Sequence, residues 1–244
     1  MHAFALLLIA SVYRAPTETI LKTATGHPMQ YYLSLPEGWK AGRTWPVVVV
    51  IESANRDFEA TAHLFEKARG SMPCILVTPL VLTNGGPRIR DVPSYKYGAA
   101  TWSVIDRDGP WKFDQDGVAS VLADVHRLYG GGSKAFITGW EAGGHTLFAL
   151  AFNHPSEFLA AAPVCPNYAE RWISLALSTR ADIPLRCFVG ANDDLWNRFS
   201  IQWERAREEA RRRGFKDLST QRVAGKGHEP LADSVLRWFA FRDH

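Results

Sequence analysis

Five consecutive β-branched residues, VVVVI at positions 47–51, constrain the fold of this chain more than any other segment. A strand with one face in water alternates apolar and polar side chains, whereas an unbroken apolar run is typical of a strand covered on both faces. Such strands belong to parallel sheets, because the connection between two parallel strands needs a crossover, usually a helix that packs on the sheet. The run therefore predicts an α/β fold.

The rest of the chain supports this prediction, because strand-like and helix-like segments alternate along it. Further strands are predicted at residues 30–35, 74–78, 134–138, 159–164, 185–189 and 218–223. Helices are predicted at residues 58–69, 114–129, 142–153, 197–213 and 231–241. Residues 81–112, rich in Gly, Pro and aromatic side chains, are predicted to be a long functional loop. We expect a mostly parallel central sheet with helices on both faces, in one domain spanning residues 15–244.

The first 14 residues leave two interpretations open. The apolar run AFALLLIA at positions 3–10 resembles the core of a secretion signal, but no Lys or Arg precedes it. Residues 1–14 are therefore either an export segment or a first strand. The first interpretation implies a secreted or periplasmic protein, and the second a cytoplasmic one. The run is too short to cross a bilayer, and no other membrane span is predicted.

The charge balance argues against a nucleic-acid partner. Lys and Arg number 28 against 25 Asp and Glu, a net charge of +3. Between Asn197 and Lys216 there are seven basic and three acidic residues, so the excess lies in one predicted helix whose charges can pair at i,i+4 spacing. The three cysteines have no ligand spacing, and neither a metal nor a cofactor is predicted.

The segment GWEAGGH, residues 139–145, follows the predicted strand KAFIT and opens a helix. A strand, a sharp G-x-X-x-G turn and a helix rich in small residues are the layout of a nucleophile elbow. The central residue of such a turn, here Glu141, projects above the sheet beside the N-terminus of the helix, where backbone N–H groups stabilise negative charge.

At these residues the chain resembles the α/β-hydrolase family, in its branch of polyhydroxyalkanoate-depolymerase-like and feruloyl-esterase-like proteins. The resemblance covers most of the chain through the segments LPEGW, VVVVI, FDQDGVASVLADV, GWEAGGH and FNHPSEFLAAAPV. It implies an α/β-hydrolase fold and a small-molecule or polymeric ester-like ligand. It also implies a triad acid in the segment GAND, at Asp193 or alternatively the adjacent Asp194, and a triad histidine at His228 in GKGH.

Two departures from the family affect the machinery for acyl transfer. Glu141 stands where these esterases have serine, and the loop after VVVVI begins Glu52-Ser53 where the family commonly has His-Gly. Together with Trp140 and Ala142, these two loop residues are predicted to form the substrate and oxyanion region. A carboxylate at Glu52 would repel a developing oxyanion. If it faced Glu141, one of the two carboxyl groups would be protonated at neutral pH.

Ordinary serine-esterase activity is therefore not expected. The first hypothesis is a hydrolase-like enzyme acting through Glu141, His228 and Asp193. The alternative is an inactivated α/β-hydrolase-fold protein that keeps a binding function without catalysis. Two minor hypotheses are a divalent metal held by Glu52, Glu141 and His228, and a displaced nucleophile at Ser53.

Overall fold

The computed structural model describes residues 18–86, 89–175, 183–240 and 242, so the predictions for residues 1–14 lie outside the described residues. The strands are β1 (Ile20–Thr23), β2 (Gln30–Ser34), β3 (Trp45–Ile51), β4 (Ile75–Pro79), β5 (Gly131–Trp140), β6 (Phe158–Val164), β7 (Leu185–Gly190) and β8 (Leu218–Val223). The α-helices are α1 (Phe58–Arg69), α2 (Ala99–Asp108), α3 (Pro110–Tyr129), α4 (Gly143–Asn153), α5 (Trp196–Arg212) and α6 (Ala232–Ala240).

The described strands form one sheet in the order β1-β2-β4-β3-β5-β6-β7-β8. Strands β3 to β8 run parallel to one another, whereas β2 is antiparallel to both β1 and β4. The prediction of a mostly parallel sheet is confirmed. The carboxyl ends of its parallel strands all meet at one edge, which is where ligands bind in sheets of this kind.

The side chains of β3 show why its sequence is apolar throughout. Val47, Val49 and Ile51 pack into a core on one face of the sheet. Val48 and Val50 pack into a second core on the other face, together with residues of α1 and α6. Because both faces are covered, neither set of alternating positions tolerates a polar side chain.

Two local predictions differ from the structure. Residues 81–112 are not one loop, because they contain α2 and the first turn of α3. Helix α2 buries only Ile105, so its apolar pattern is too weak to read from the sequence. Strand β1 was not predicted; it is a four-residue edge strand that alternates half-buried and exposed positions.

The loops at the carboxyl edge hold all the described non-glycine residues with a positive φ. Arg56, Glu141, Cys165 and Leu231 have φ values of 55°, 46°, 41° and 51°, and they follow β3, β5, β6 and β8 respectively. Such conformations cost of order 1–3 kcal/mol for a residue with a side chain, and they cluster at functional sites. Within the described part of the chain, no helix is both long and apolar enough to cross a membrane.

Candidate active site

Glu141 occupies the tip of a sharp turn between β5 and α4. Its N–H donates to the carbonyl of Val164 at 3.0 Å, which ties the turn to the end of β6. Its own carbonyl accepts hydrogen bonds from the N–H groups of Gly144 at 2.9 Å and Asn167 at 2.8 Å. These three bonds hold the left-handed backbone of Glu141 in place and leave its side chain directed away from the sheet.

Two glycines allow the close approach of strand and helix on which this turn depends. A Cβ on Gly139 would lie 2.9 Å from the carbonyl oxygen of Gly143. A Cβ on Gly143 would lie 2.7 Å from the carbonyl oxygen of Ile51 and 2.8 Å from that of Glu52. The contacted atoms are backbone atoms and cannot move aside, so glycine is required at both positions.

His228 joins the elbow to an acidic residue at the end of β7. Its Nε2 lies 2.9 Å from Oε1 of Glu141, and its Nδ1 lies 2.9 Å from Oδ2 of Asp193. Asp193, rather than the exposed Asp194, makes this contact. The structure therefore brings together three of the residues singled out in the sequence, in the order carboxylate, imidazole, carboxylate.

The two carboxylates set the protonation of the imidazole. Burial alone would lower the pKa of His228, but its hydrogen bonds and charge interactions with Asp193 and Glu141 raise that pKa above the ordinary value. Burial likewise opposes ionisation of Asp193, yet hydrogen bonds from Cys165, His228 and the Leu195 N–H hold the pKa of Asp193 below its usual range. The raised pKa favours the imidazolium form of His228, in which each of the two ring N–H groups can donate to one carboxylate.

Aromatic rings enclose the imidazole of His228 from two sides. Phe199 of α5 stacks on it with an interplanar angle of 10° and a centroid separation of 5.3 Å. Trp140 lies against it at 5.5 Å. A cation in contact with aromatic faces is stabilised by the ring quadrupole. Phe199 was not predicted as a site residue, because its helical spacing assigned it to the apolar contacts of α5.

Cys165 is a second site residue that the sequence did not reveal. Its thiol sulfur lies 2.8 Å from Oδ2 of Asp193, the same oxygen that accepts from His228. The sequence indicated only that the turn from Cys165 to Tyr168 opens near the edge of the sheet. Burial and the neighbouring Asp193 carboxylate raise the pKa of Cys165, so the thiol stays protonated.

The loop after β3 does not bring the side chain of Glu52 to Glu141. The Glu52 carboxylate is buried, and it accepts hydrogen bonds from the hydroxyls of Thr61 in α1 and of Ser53. Burial raises the pKa of Glu52 although these hydrogen bonds act against the rise. The condition for a shared proton, that Glu52 faces Glu141, therefore has no counterpart in these contacts.

The backbone of this loop is fixed by Asn84. The side-chain amide of Asn84 donates to the carbonyls of Glu52 and Ser53, at 2.9 Å each. The preceding residues Leu82 and Thr83 are in turn held by the fully buried Asp114, which accepts both of their N–H groups at 2.7–2.9 Å. The shape of the predicted oxyanion loop thus depends on a carboxylate in α3.

The contacts do not favour a metal held by Glu52, Glu141 and His228, because the Glu52 carboxylate bonds to Thr61 and Ser53 instead. Among the described residues, the ligand atoms close enough to share a metal are those of Cys165, Asp193 and His228. These atoms already make hydrogen bonds to one another, and metals bind the thiolate rather than the protonated thiol. Ala142 lies at the N-cap of α4, next to Glu141.

Solved structures show which proteins share this arrangement of sheet and loops. Poly(aspartic acid) hydrolase-1 from Sphingomonas sp. KT-1 superposes with a TM-score of 0.61 at 15% identity, over 91% of this chain and 96% of that one. S-formylglutathione hydrolase from Staphylococcus aureus superposes with a TM-score of 0.62 at 12% identity, over 93% and 96%. The chain has the α/β-hydrolase fold.

A third structure with the α/β-hydrolase fold is a ferulic acid esterase from Anaeromyces mucronatus. It superposes with a TM-score of 0.61 at 13% identity, over 92% of this chain and 88% of that one. No protein-family model matches the sequence, and no curated protein matches the chain. At these identities the likeness shows the fold, on which many different chemistries are built.

Proposed function

We propose that this protein is a hydrolase in which the Glu141 carboxylate is the nucleophile and His228 and Asp193 complete the catalytic set. The observation that carries the proposal is the pair of 2.9 Å contacts on either side of His228. One carboxylate oxygen of Glu141 is oriented by the imidazolium. Among the described residues, none donates a hydrogen bond to the other oxygen, which is left to react with a substrate.

The chemistry of a carboxylate nucleophile selects the kind of carbon that it attacks. Attack on an acyl carbonyl would give a mixed anhydride, which returns to starting material easily. Attack on a saturated carbon that bears a good leaving group gives a stable alkyl ester of Glu141. Water can then cleave that ester. The substrate class is therefore a small or polymeric electrophile with an activated alkyl carbon, such as the alkyl carbon of an activated ester.

In the first step the free oxygen of Glu141 forms a bond to the alkyl carbon, and the bond to the leaving group breaks with its electron pair. The leaving group departs as an anion, and His228 loses its Nε2 proton to water once Glu141 is esterified. Esterified Glu141 carries no charge, so one of the two carboxylates that raise the pKa of His228 is lost. The neutral imidazole that results is a suitable general base for the second step.

In the second step His228 takes a proton from water, and the hydroxide adds to the carbonyl carbon of the Glu141 ester. The N-terminus of α4 beside Ala142 stabilises the oxyanion of the tetrahedral intermediate. The intermediate expels the alkoxide, which takes the proton from His228 and leaves as an alcohol. The Glu141 carboxyl then returns its proton to His228, which restores the resting ion pair.

The test is a single turnover in H₂¹⁸O with the enzyme in excess over a p-nitrobenzyl halide or an activated alkyl ester. The proposal expects one ¹⁸O atom in the Glu141 peptide, because water attacks the carboxyl carbon. It also expects a stable alkyl adduct on Glu141 in His228→Ala, which lacks the base. Turnover that places no label and no adduct on Glu141 would overturn the nucleophile role.

A non-catalytic binding protein is the second candidate, favoured by one observation. The carboxylates of Glu141 and Asp193 already satisfy both ring nitrogens of His228, as in a structural ion pair. The variant Glu141→Ser tests this second candidate. Suppose that this variant hydrolyses p-nitrophenyl esters, whereas the wild type neither hydrolyses them nor forms an alkyl adduct on Glu141. The wild-type site then lacks only the nucleophile of an otherwise intact esterase site.

A further inference from the structure

The thiol of Cys165 takes part in the hydrogen bonding of the candidate site. Its sulfur lies 2.8 Å from Oδ2 of Asp193, and the same oxygen accepts the Nδ1–H of His228 at 2.9 Å. The other oxygen of Asp193 accepts the N–H of Leu195 at 2.9 Å. Three donors therefore fix an acid whose side chain is fully buried, and the thiol is the one donor that comes from the loop after β6.

The backbone of Cys165 is bent in order to deliver this thiol. Its φ of 41° lies in the left-handed region, although a side chain disfavours that conformation. Its N–H donates to the carbonyl of Phe188 at 3.0 Å, which anchors the bend to β7, the strand that precedes Asp193. A strained residue that a nearby hydrogen bond holds in place is typical of a functional position.

Cys165 also links the acid to the elbow through the chain. The residue before it, Val164, accepts the N–H of Glu141 at 3.0 Å. The contacts therefore close a ring that runs from the Glu141 backbone to Cys165, on to Asp193, through His228, and back to the Glu141 carboxylate.

We propose that Cys165 is a positioning residue, whose thiol donates to Asp193 and thereby sets the direction and the basicity of the carboxylate that faces His228. Its role in catalysis rests on the function proposed above, whereas its effect on His228 does not. A donor to Oδ2 withdraws negative charge from the carboxylate. The charged groups that face His228 are Asp193 and Glu141, so the proton affinity of the imidazole reports on this withdrawal.

The experiment measures the imidazole pKa of His228 by NMR titration in Cys165→Ala, Cys165→Ser and the wild type. Alanine removes the donor, so Asp193 holds the imidazolium more strongly and the pKa of His228 rises. Serine keeps a donor at the same place, so the pKa stays at the wild-type value or falls below it. The signal of the Nδ1 proton should change in the alanine variant and be restored by serine.

Cys187→Ala is the matched control, because Cys187 is equally buried on the adjacent strand β7. Among the described contacts its thiol makes no hydrogen bond to Asp193. The control removes the same volume, and it should leave the pKa of His228 unchanged. If Cys165→Ala shifts this pKa no further than Cys187→Ala does, or if the serine variant follows the alanine variant, the positioning role is wrong.

A measurement on the wild type keeps the proposal testable if the variants fold poorly. The Raman S–H stretching band of Cys165 should lie below those of the other two cysteines, because its proton is shared with a carboxylate. Asp193→Asn should move that band upward, since a neutral amide is a weaker acceptor. If all three S–H bands of Asp193→Asn lie at their wild-type positions, the thiol of Cys165 does not donate a hydrogen bond to Asp193. Neither measurement needs turnover, so a failure of the nucleophile role would not affect them.

Discussion

Oε1 of Glu141 lies as close to His228 as Oδ2 of Asp193 does, at 2.9 Å in both cases. The imidazole is thus held from both ends by carboxylates of unequal exposure. The side chain of Asp193 is fully buried, whereas that of Glu141 is 26% exposed. Because water screens the charge of the more exposed partner, the buried Asp193 carboxylate interacts with the imidazole more strongly than the Glu141 carboxylate does.

Glu141→Gln should lower the pKa of His228, because an amide replaces one of the two negative partners of the imidazolium. NMR titration of the imidazole C–H signals checks this direction. Gln is nearly isosteric with Glu, so the packing of the elbow is kept. Exposed Glu37→Gln, which lies outside the site, serves as the control and should leave the titration of His228 unchanged.

The stability of the wild type should fall as the pH rises through the pKa of His228. This pKa is raised in the folded state, so the stabilisation is complete below the ordinary value of 6.5 and is lost as the pH rises from there through the raised folded-state pKa. Urea unfolding at several pH values, compared with the same series for Glu141→Gln, measures the effect. Glu141→Gln lowers the folded-state pKa of His228 and leaves its unfolded-state pKa unchanged, so the decline in the variant should be smaller and should end at a lower pH. A decline of the same size over the same pH range in both proteins would show that the Glu141 carboxylate does not stabilise the imidazolium.

Phe199→Leu should destabilise the charged form of His228 while it largely preserves the volume of the core. A cation on an aromatic face gains about 0.5–1 kcal/mol, and leucine cannot supply this gain. The pKa of His228 should therefore fall in the titration. Phe215→Leu is the matched control, because Phe215 is equally buried but packs on Phe152. If the pKa of His228 is the same in both variants, the stacked ring of Phe199 contributes packing but does not stabilise the charged imidazole.

The sequence predicts the elements that depend on patterns along the chain. The β-branched run of β3 and the glycines of the elbow are readable because each reflects a local requirement, burial on both faces or close backbone approach. The resemblance to the α/β-hydrolase family likewise implies an acid at Asp193 or Asp194 and a histidine at His228, each after a predicted strand.

Contacts between side chains on different elements are what the sequence does not predict. The direction of the Glu52 side chain depends on the hydroxyl of Thr61, which the packing of α1 on the sheet brings within reach. Cys165 directly follows the apolar strand β6 and has the pattern of a core residue, and nothing in the sequence indicates its left-handed φ. Phe199 has the spacing of a core position, and only the fold shows that this core includes an imidazole.

Gly143→Ala should destabilise the elbow severely, by about 2–4 kcal/mol in the free energy of unfolding. The added methyl group would lie 2.7 Å and 2.8 Å from the carbonyl oxygens of Ile51 and Glu52, so α4 must move away from β3. Urea unfolding measures the loss. Gly86→Ala is the control, because its Cβ would have no atom within 4 Å and its φ is not positive. Equal stability of the two variants would contradict the close approach.

Asp114→Ala should release the loop after β4 and, through Asn84, the loop that carries Glu52. Asp114 is fully buried and accepts the N–H groups of Leu82 and Thr83 as well as the Thr83 hydroxyl. Their loss leaves buried donors without a partner, at a cost of about 2–4 kcal/mol in the free energy of unfolding. Hydrogen exchange should become faster at the N–H groups of Leu82 and Thr83.

Asp116→Ala is the matched control for this variant, since Asp116 lies on the same helix and makes an exposed pair with Lys112. Its removal should cost no more than about 0.5 kcal/mol. The two variants therefore separate the loss of a buried acceptor from the loss of a surface charge. If Asp114→Ala unfolds at the same urea concentration as Asp116→Ala, the loop is held by other contacts, such as that of the Tyr95 hydroxyl with the Val81 carbonyl.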